Sequence, residues 1–268
     1  MIYFLIAVLL VLILVFASGW VEKHNIYFPE RKIEHTPEDI GLSYKDIYFK
    51  TSDNVELNGW FIPTGRQPRA TVLLCHGNAG NIGNRLDMIR ILNSLDLNVF
   101  IFDYRGYGIS AGLVSEKGTY LDALAAYEEL KKTSGVDINK VILYGRSLGG
   151  AVAMDLATRK DPLALISDGT FTSTSAMAKE IYPFLPAKFL ISTKYDSLSK
   201  ISSIKVPKLI IHSTEDEIVS FHHGKELYEK ASEPKELYRM RGGHNDGIAE
   251  YEEEFKYRVD KFLKDIGV

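Results

Sequence analysis

The sequence predicts an α/β protein with a mostly parallel central sheet and helices on both faces. Three observations predict it. Short apolar runs recur between residues 42 and 268 and alternate with amphipathic stretches, the pattern of strands joined by right-handed crossover helices. One run, Val141-Ile142-Leu143-Tyr144, leads through Gly145-Arg146-Ser147-Leu148-Gly149 into the helix-forming stretch that starts at Gly150. Glycines two before and two after Ser147 permit a turn too sharp for larger side chains, so the hydroxyl is lifted out of the sheet. Later strands end in loops that carry an acidic cluster at 215–217 and a histidine at 244.

The elements follow in order. Residues 1–20 carry no charge and are almost wholly apolar. As a helix they would span about 30 Å, the thickness of a bilayer core, with Tyr3 and Trp20 near the ends. No Lys or Arg precedes Glu22, and the apolar stretch exceeds that of a signal peptide, so a retained single-pass anchor is expected rather than a cleaved signal. Lys23, Arg31 and Lys32 follow the span, and the positive-inside rule then expects a cytoplasmic catalytic domain. Residues 21–41, with Pro29 and Pro37, read as a linker or cap.

Domain signals begin at residue 42. Asp46–Lys50 and Val55–Ile62 read as an antiparallel start, then Thr71–Cys75 as a strand and Asn84–Leu95 as a helix. Asn98–Phe102 is a strand, Glu116–Lys132 a helix that Gly135 can close, and Leu163–Ser167 a strand. Pro207–His212 and Glu236–Met240 complete the strands, with helices over Phe221–Lys230 and Ile248–Phe262. The interval 171–200 breaks this rhythm and is too long for an ordinary connection. It reads as a small lid over an apolar acyl pocket, with Phe171, Tyr182 and Phe184 as substrate-binding candidates. The competing reading is an ordinary crossover helix.

Composition narrows the function classes. The chain has 268 residues, 46% of them hydrophobic, with 32 basic and 35 acidic side chains and a net charge of -3. That supports one domain with a substantial core and no nucleic-acid partner. Cys75 is the only cysteine, so no internal disulfide forms, and its place in a buried strand makes it an improbable nucleophile. No His, Cys and Asp set has metal-ligand spacing, and no cofactor is expected.

A serine hydroxyl needs a base to take its proton and a carboxylate to orient the base. Ser147, Asp216 and His244 follow one another at the carboxyl ends of successive strands, where such sheets place their sites. Glu215, Glu217 and Asp168 are alternative acids. His212, His222 and His223 read as surface or packing residues, His24 and His35 belong to the linker, and His76 braces a loop. The backbone N–H groups of Leu148 and Asn78 are the candidate oxyanion donors, the second from the loop His76-Gly77-Asn78-Ala79-Gly80.

Together with Asp103-Tyr104-Arg105-Gly106-Tyr107-Gly108, these motifs cover residues 42–266 in one order. In them the chain resembles the α/β-hydrolase superfamily, in particular the α/β-hydrolase-domain proteins that include membrane-associated depalmitoylating thioesterases and their bacterial relatives. The resemblance implies an α/β-hydrolase fold and a structural role for Asp103–Gly108. It also implies a membrane-anchored serine hydrolase acting on esters or thioesters of a small-molecule or lipid acyl substrate. An aminopeptidase or amidase on the same triad is the alternative, and a non-catalytic binding module of the same fold the second. The chain departs from the depalmitoylating members in lacking a cysteine-rich N-terminus, where it carries the apolar span instead.

Overall fold

The computed structural model of the chain describes residues 26–184 and 192–268. The anchor expected over residues 1–20 lies outside them. No helix among the described residues is long and apolar enough to cross a membrane.

The strands are β1 (Phe28–Pro29), β2 (Lys45–Lys50), β3 (Glu56–Ile62), β4 (Ala70–Cys75), β5 (Ala79–Gly80), β6 (Leu97–Phe102), β7 (Val141–Arg146), β8 (Ala164–Asp168), β9 (Lys208–Ser213) and β10 (Lys235–Met240). The described helices are α1 (Leu86–Ser94), α2 (Glu116–Leu130), α3 (Leu148–Ala157), α4 (Thr174–Ile181), α5 (Ser197–Ile201), α6 (Phe221–Lys230), α7 (Gly247–Glu250) and α8 (Glu252–Asp265). Eight strands form the main sheet in the order β10-β9-β8-β7-β4-β6-β3-β2. From β10 to β6 every pairing is parallel, and the β6–β3 and β3–β2 pairings are antiparallel. This is the mostly parallel sheet with an antiparallel start that the sequence predicts.

Residues alternate between the two faces of each strand, and both faces are covered. In β4, Leu73 and Cys75 join one apolar cluster while Val72 and Leu74 join the other. In β6 the same division separates Phe100 and Phe102 from Val99 and Ile101. The first cluster takes up Ala126 and Leu130 of α2, Val152 and Leu156 of α3 and Leu227 of α6; the second takes up Ile89 and Leu92 of α1 and Phe255, Val259 and Phe262 of α8. Each of the Val, Leu, Ile and Phe side chains among them, nearly or wholly buried, contributes about 1.5–3 kcal/mol of transfer free energy. This sandwich makes the carboxyl ends of β4, β7, β8, β9 and β10 a stiff platform for loops.

Three local readings change. The helix expected over Asn84–Leu95 opens as a 3-10 turn, Ile82–Arg85, because the Asn81 side chain accepts the Gly83 N–H and fixes an earlier start. The helix expected over Ile248–Phe262 is two pieces, interrupted at Tyr251 between α7 and α8. The described part of the segment read as a linker or cap, residues 26–41, is built into the domain. β1 pairs in parallel with β5 of the loop after β4, Phe28 N–H donates to Asn78 O at 2.9 Å, and Tyr27 is buried.

Candidate active site

The turn between β7 and α3 forces Ser147 into a left-handed backbone, with φ 52° and ψ -118°. A serine held there stores about 1–3 kcal/mol of strain, which the surrounding packing must outweigh. The glycines explain why no other side chain fits. A Cβ on Gly145 would meet Gly149 O at 2.3 Å, and one on Gly149 would meet Cys75 O at 2.0 Å, so β7, α3 and β4 are in backbone contact. Ser147 N–H donates to Asp168 O at 2.8 Å, which locks the turn to β8. The Ser147 side chain does not cap α3, and Ser147 lines a cavity of about 470 Å³.

His244 lines the same cavity from the loop between β10 and α7. Its Nδ1–H donates to Asp216 Oδ2 at 2.7 Å, which leaves Nε2 as the ring nitrogen able to act as a base. Asp216 Oδ1 accepts the N–H groups of Ile218 at 2.9 Å and Val219 at 2.7 Å. Burial acts to raise this carboxyl. The bond and charge of His244, with the two backbone N–H groups, outweigh burial and hold it below the usual value.

The neighbouring acids have other work. Glu215 Oε2 accepts Gly242 N–H and Glu217 Oε2 accepts His244 N–H, each at 2.9 Å. Three consecutive carboxylates thus hold the backbone before the histidine, its ring and its own N–H. Asp168, the other alternative acid, accepts the Tyr144 hydroxyl at 2.7 Å and Arg146 Nη1 at 2.8 Å. Arg146 in turn donates through Nη2 to the carbonyl of His244, so this ion pair braces the histidine loop. Gly169 (φ +57°) makes room for the imidazole, since a Cβ there would stand 3.1 Å from His244 Cε1.

On the other side of Ser147, Gly77 and Asn78 line the cavity. The Asn78 carbonyl accepts Phe28 N–H at 2.9 Å and the Tyr107 hydroxyl at 2.7 Å, and its Nδ2 donates to Ile26 O at 3.0 Å. These bonds run through the carbonyl and side chain of Asn78, not through its N–H. Leu148 also lines the cavity, with its N–H at the first turn of α3, where negative charge is favoured.

His76 and His212 take structural positions. His76 is buried and donates from Nδ1 to Gly77 O at 2.7 Å; burial pushes its pKa down to about 3. His212 is buried behind the acid, with Nε2 at 2.7 Å from Val219 O. Cys75 is fully buried and its thiol is pushed up to about 12, which removes it as a nucleophile.

Of the substrate-binding candidates, Phe171 and Tyr182 line the cavity, together with Thr174, Met177, Ala178 and Ile181 of α4 and its approach. Phe184 does not. It is 98% exposed and stands off the cavity, because the chain leaves α4 at Tyr182 and turns outward. The interval 171–200 divides accordingly. Its first part forms a cavity wall, while Tyr195 returns to the core, fully buried, with its hydroxyl 3.0 Å from that of Tyr27 and 2.9 Å from Thr119 Oγ1.

One grouping is absent from the sequence reading of metal sites. Glu180 of α4 meets His222 and His223 of α6 with the candidate ligand atoms within 4.8 Å of one another. His223 Nδ1 accepts Thr172 N–H at 3.2 Å and lies 2.9 Å from Thr172 Oγ1, and its Nε2 lies 2.9 Å from Glu180 Oε1. These contacts latch α4 to α6. Sequence reasoning also missed Ile26, Phe28 and Arg85, which line the cavity. Ile26 and Phe28 lie far in sequence from the motifs, and nothing in the residue types around Arg85 marks it as a cavity residue.

Comparison with known proteins agrees with this geometry. The family described as serine aminopeptidase, S33, matches residues 66–195. The chain is 39% identical over 217 residues to the α/β-hydrolase domain-containing protein WAV2 of Arabidopsis thaliana, covering 74% of this chain and 70% of that one. It is 34% identical to YfhR of Escherichia coli K12, covering 84% and 80%. Among solved structures it is similar to an esterase of Pyrococcus furiosus, with a TM-score of 0.74 and 28% identity over 90% of this chain and 97% of that one.

Proposed function

The chain belongs to the α/β-hydrolase superfamily, and from that premise we propose that it is a serine hydrolase of carboxylic esters and thioesters with apolar acyl groups. The observation that carries the reading is the His244–Asp216 hydrogen bond of 2.7 Å on a cavity that also holds the strained Ser147. In this reading His244 Nε2 takes the proton of Ser147 Oγ as the oxygen attacks the acyl carbonyl. The N–H groups of Leu148 and Asn78 stabilise the oxyanion. The tetrahedral species collapses as His244 gives that proton to the leaving oxygen or sulfur. A water activated by the same nitrogen then attacks the acyl-Ser147 ester, and the acid departs.

The family description favours a second reading, an aminopeptidase. The cavity wall weighs against it. Among the described residues its lining includes Arg85 and Arg146 but no Asp or Glu that could bind a substrate ammonium. Turnover of aminoacyl p-nitroanilides faster than p-nitrophenyl esters would reverse the preference.

The test is labelling with a fluorophosphonate probe alongside p-nitrophenyl octanoate hydrolysis. Wild type labels, and Ser147→Ala abolishes labelling and lowers kcat by at least about 10³-fold. Folded wild type that neither labels nor turns over esters and thioesters overturns the reading.

Attachment to the bilayer through residues 1–20, with the hydrolase domain on the cytoplasmic face, is part of the proposal. Its support is the charge-free stretch and the following Lys23, Arg31 and Lys32. The full chain should stay with membranes through alkaline carbonate extraction, and its release would remove the anchor.

A further inference from the structure

Buried or half-buried arginines of this protein meet a carboxylate almost wherever they occur. Arg69 pairs with Asp260, Arg90 with Glu252, Arg105 with Asp53 and Asp122, and Arg146 with Asp168. Arg85 is different. It ends the 3-10 turn that follows the Asn78 loop, and its side chain lines the same cavity as Ser147 and His244. One arm donates through Nη2 to the carbonyl of Ala79, in that loop. Its Nε is buried with no hydrogen-bond partner, and no carboxylate among the described residues forms an ion pair with it. Burial and the charge of Arg146 push its pKa down. The buried Asp103 carboxyl opposes them without forming an ion pair and is itself raised to about 8, so the net shift is that of a cation short of counter-charge.

The cavity therefore combines an apolar surface with one uncompensated guanidinium. Ile26, Phe28, Met177, Ile181 and Ile218 supply apolar contact. The Arg146 fork is already engaged, by Asp168 at 2.8 Å and by the His244 carbonyl. A half-buried cation without a partner is unfavourable in the empty protein and becomes favourable when an anionic ligand group supplies the missing acceptor. A guanidinium presents a planar fork suited to a carboxylate or a phosphate.

We propose that Arg85 is an anion-binding residue of the hydrolase site, and that the preferred substrate is an apolar acyl ester or thioester carrying a carboxylate or phosphate near the scissile bond. The anion belongs either to the leaving group or to the acyl chain. The inference rests on the hydrolase reading for its catalytic consequence, but the binding it requires does not depend on turnover.

Three octanoyl-scale esters separate the sources. The neutral reference is p-nitrophenyl octanoate. In 4-nitro-3-(octanoyloxy)benzoate the leaving group carries the carboxylate, and in the p-nitrophenyl monoester of suberic acid the acyl chain carries it. Wild type should favour one anionic ester over the neutral one by about tenfold or more in kcat/KM, the scale of one charge-assisted hydrogen bond. Arg85→Gln should bring that ratio close to one, and Arg85→Lys, which keeps the charge but not the fork, should restore part of it. A wild-type ratio near one for both anionic esters overturns the proposal, as does a ratio that survives in Arg85→Gln. Calorimetry on Ser147→Ala with octyl phosphate and with octanol supplies the arm without chemistry. Binding of octyl phosphate that weakens about tenfold in Ser147→Ala/Arg85→Gln, with octanol unaffected, upholds the anion site even if no ester is hydrolysed. Equal affinity in both proteins rejects it.

Discussion

The half of the cavity built from Gly77, Asn78, Ser147 and His244 hangs from strand ends, whereas the half built from Ile26, Phe28 and α4 rests on segments beside the sheet. In the first half, backbone N–H groups tie the residues down: Ser147 N–H to Asp168 O at the end of β8, and His244 N–H to the Glu217 carboxylate in the turn after β9. In the second half, α4 is held by Thr174 N–H to Lys194 O at 3.0 Å, by a bond from Ser220 Oγ to Glu180 at 3.1 Å, and by the two imidazoles at 2.9 and 3.1 Å from Glu180. The difference separates two tasks. Chemistry demands a geometry fixed to fractions of an ångström, and strand ends supply it. Recognition of an acyl chain tolerates a wall that can shift.

Breaking the first half should cost the most and be blind to the substrate's tail. Asp216→Asn removes the acceptor that holds the His244 tautomer, so kcat should fall about 10³-fold to the same degree for acetyl, octanoyl and dodecanoyl esters. A loss that varies strongly with chain length would erase the division between the halves. The same residue has a stability signature. A carboxyl held below its ordinary value stabilises the fold above the unfolded carboxyl's value of about 3.9, and this contribution is lost as pH falls through the lower folded-state value. Melting temperatures of wild type and Asp216→Asn should therefore approach one another as the pH is lowered below about 4.

Breaking the second half should have a smaller, selective effect. Glu180→Ala removes the latch between α4 and α6, a partly exposed set of contacts, and should raise KM for dodecanoyl esters a few-fold, about 1 kcal/mol or less, while acetyl ester hydrolysis stays near wild type. A fall in kcat for every ester would mean that α4 positions the reacting groups as well.

The smallest effect sharpens what stiffens the first half. Asp103 is buried beneath the Asn78 loop, accepts Ile82 N–H at 3.0 Å and lies 3.5 Å from His76 Nε2. Burial raises its carboxyl to about 8, so the folded protein keeps that proton where the unfolded chain has lost it. The group therefore opposes folding increasingly as pH rises from about 4 toward that value. Asp103→Asn, which keeps the acceptor and adds a donor toward His76, should leave kcat within about twofold and gain stability relative to wild type as pH rises. Parallel thermal melts at acid and alkaline pH measure it. A constant difference would mean that Asp103 does not titrate in this range.

Much of the first half was legible in the sequence because its requirements are local. A serine flanked at two residues by glycine, after an apolar run and before a helix, predicts the strained apex, and the 2.0 Å approach of a Gly149 Cβ to Cys75 O is the steric reason. The acid was legible only as a cluster. Glu215, Asp216 and Glu217 are alike in type, and the turn after β9 decides that the middle one faces the imidazole while its neighbours hold backbone N–H groups. Phe184 looked like pocket material because it is aromatic in an aromatic stretch, yet nothing in that composition reveals where α4 ends.

Taken alone, the sequence determined the alternation of strands and helices, the candidate nucleophile and the order of the candidate serine, acid and histidine. Those properties are written in periodicity and in steric demands between near neighbours, which a linear string records. Tertiary structure alone decided that Ile26 and Phe28 wall the site, that Asp168 pairs with Arg146, and that Arg85 forms no ion pair with a carboxylate among the described residues. Each of these depends on which distant segments meet across the carboxyl edge of the sheet. Charge balance in a cavity is a sum over such meetings, so no local pattern can encode it.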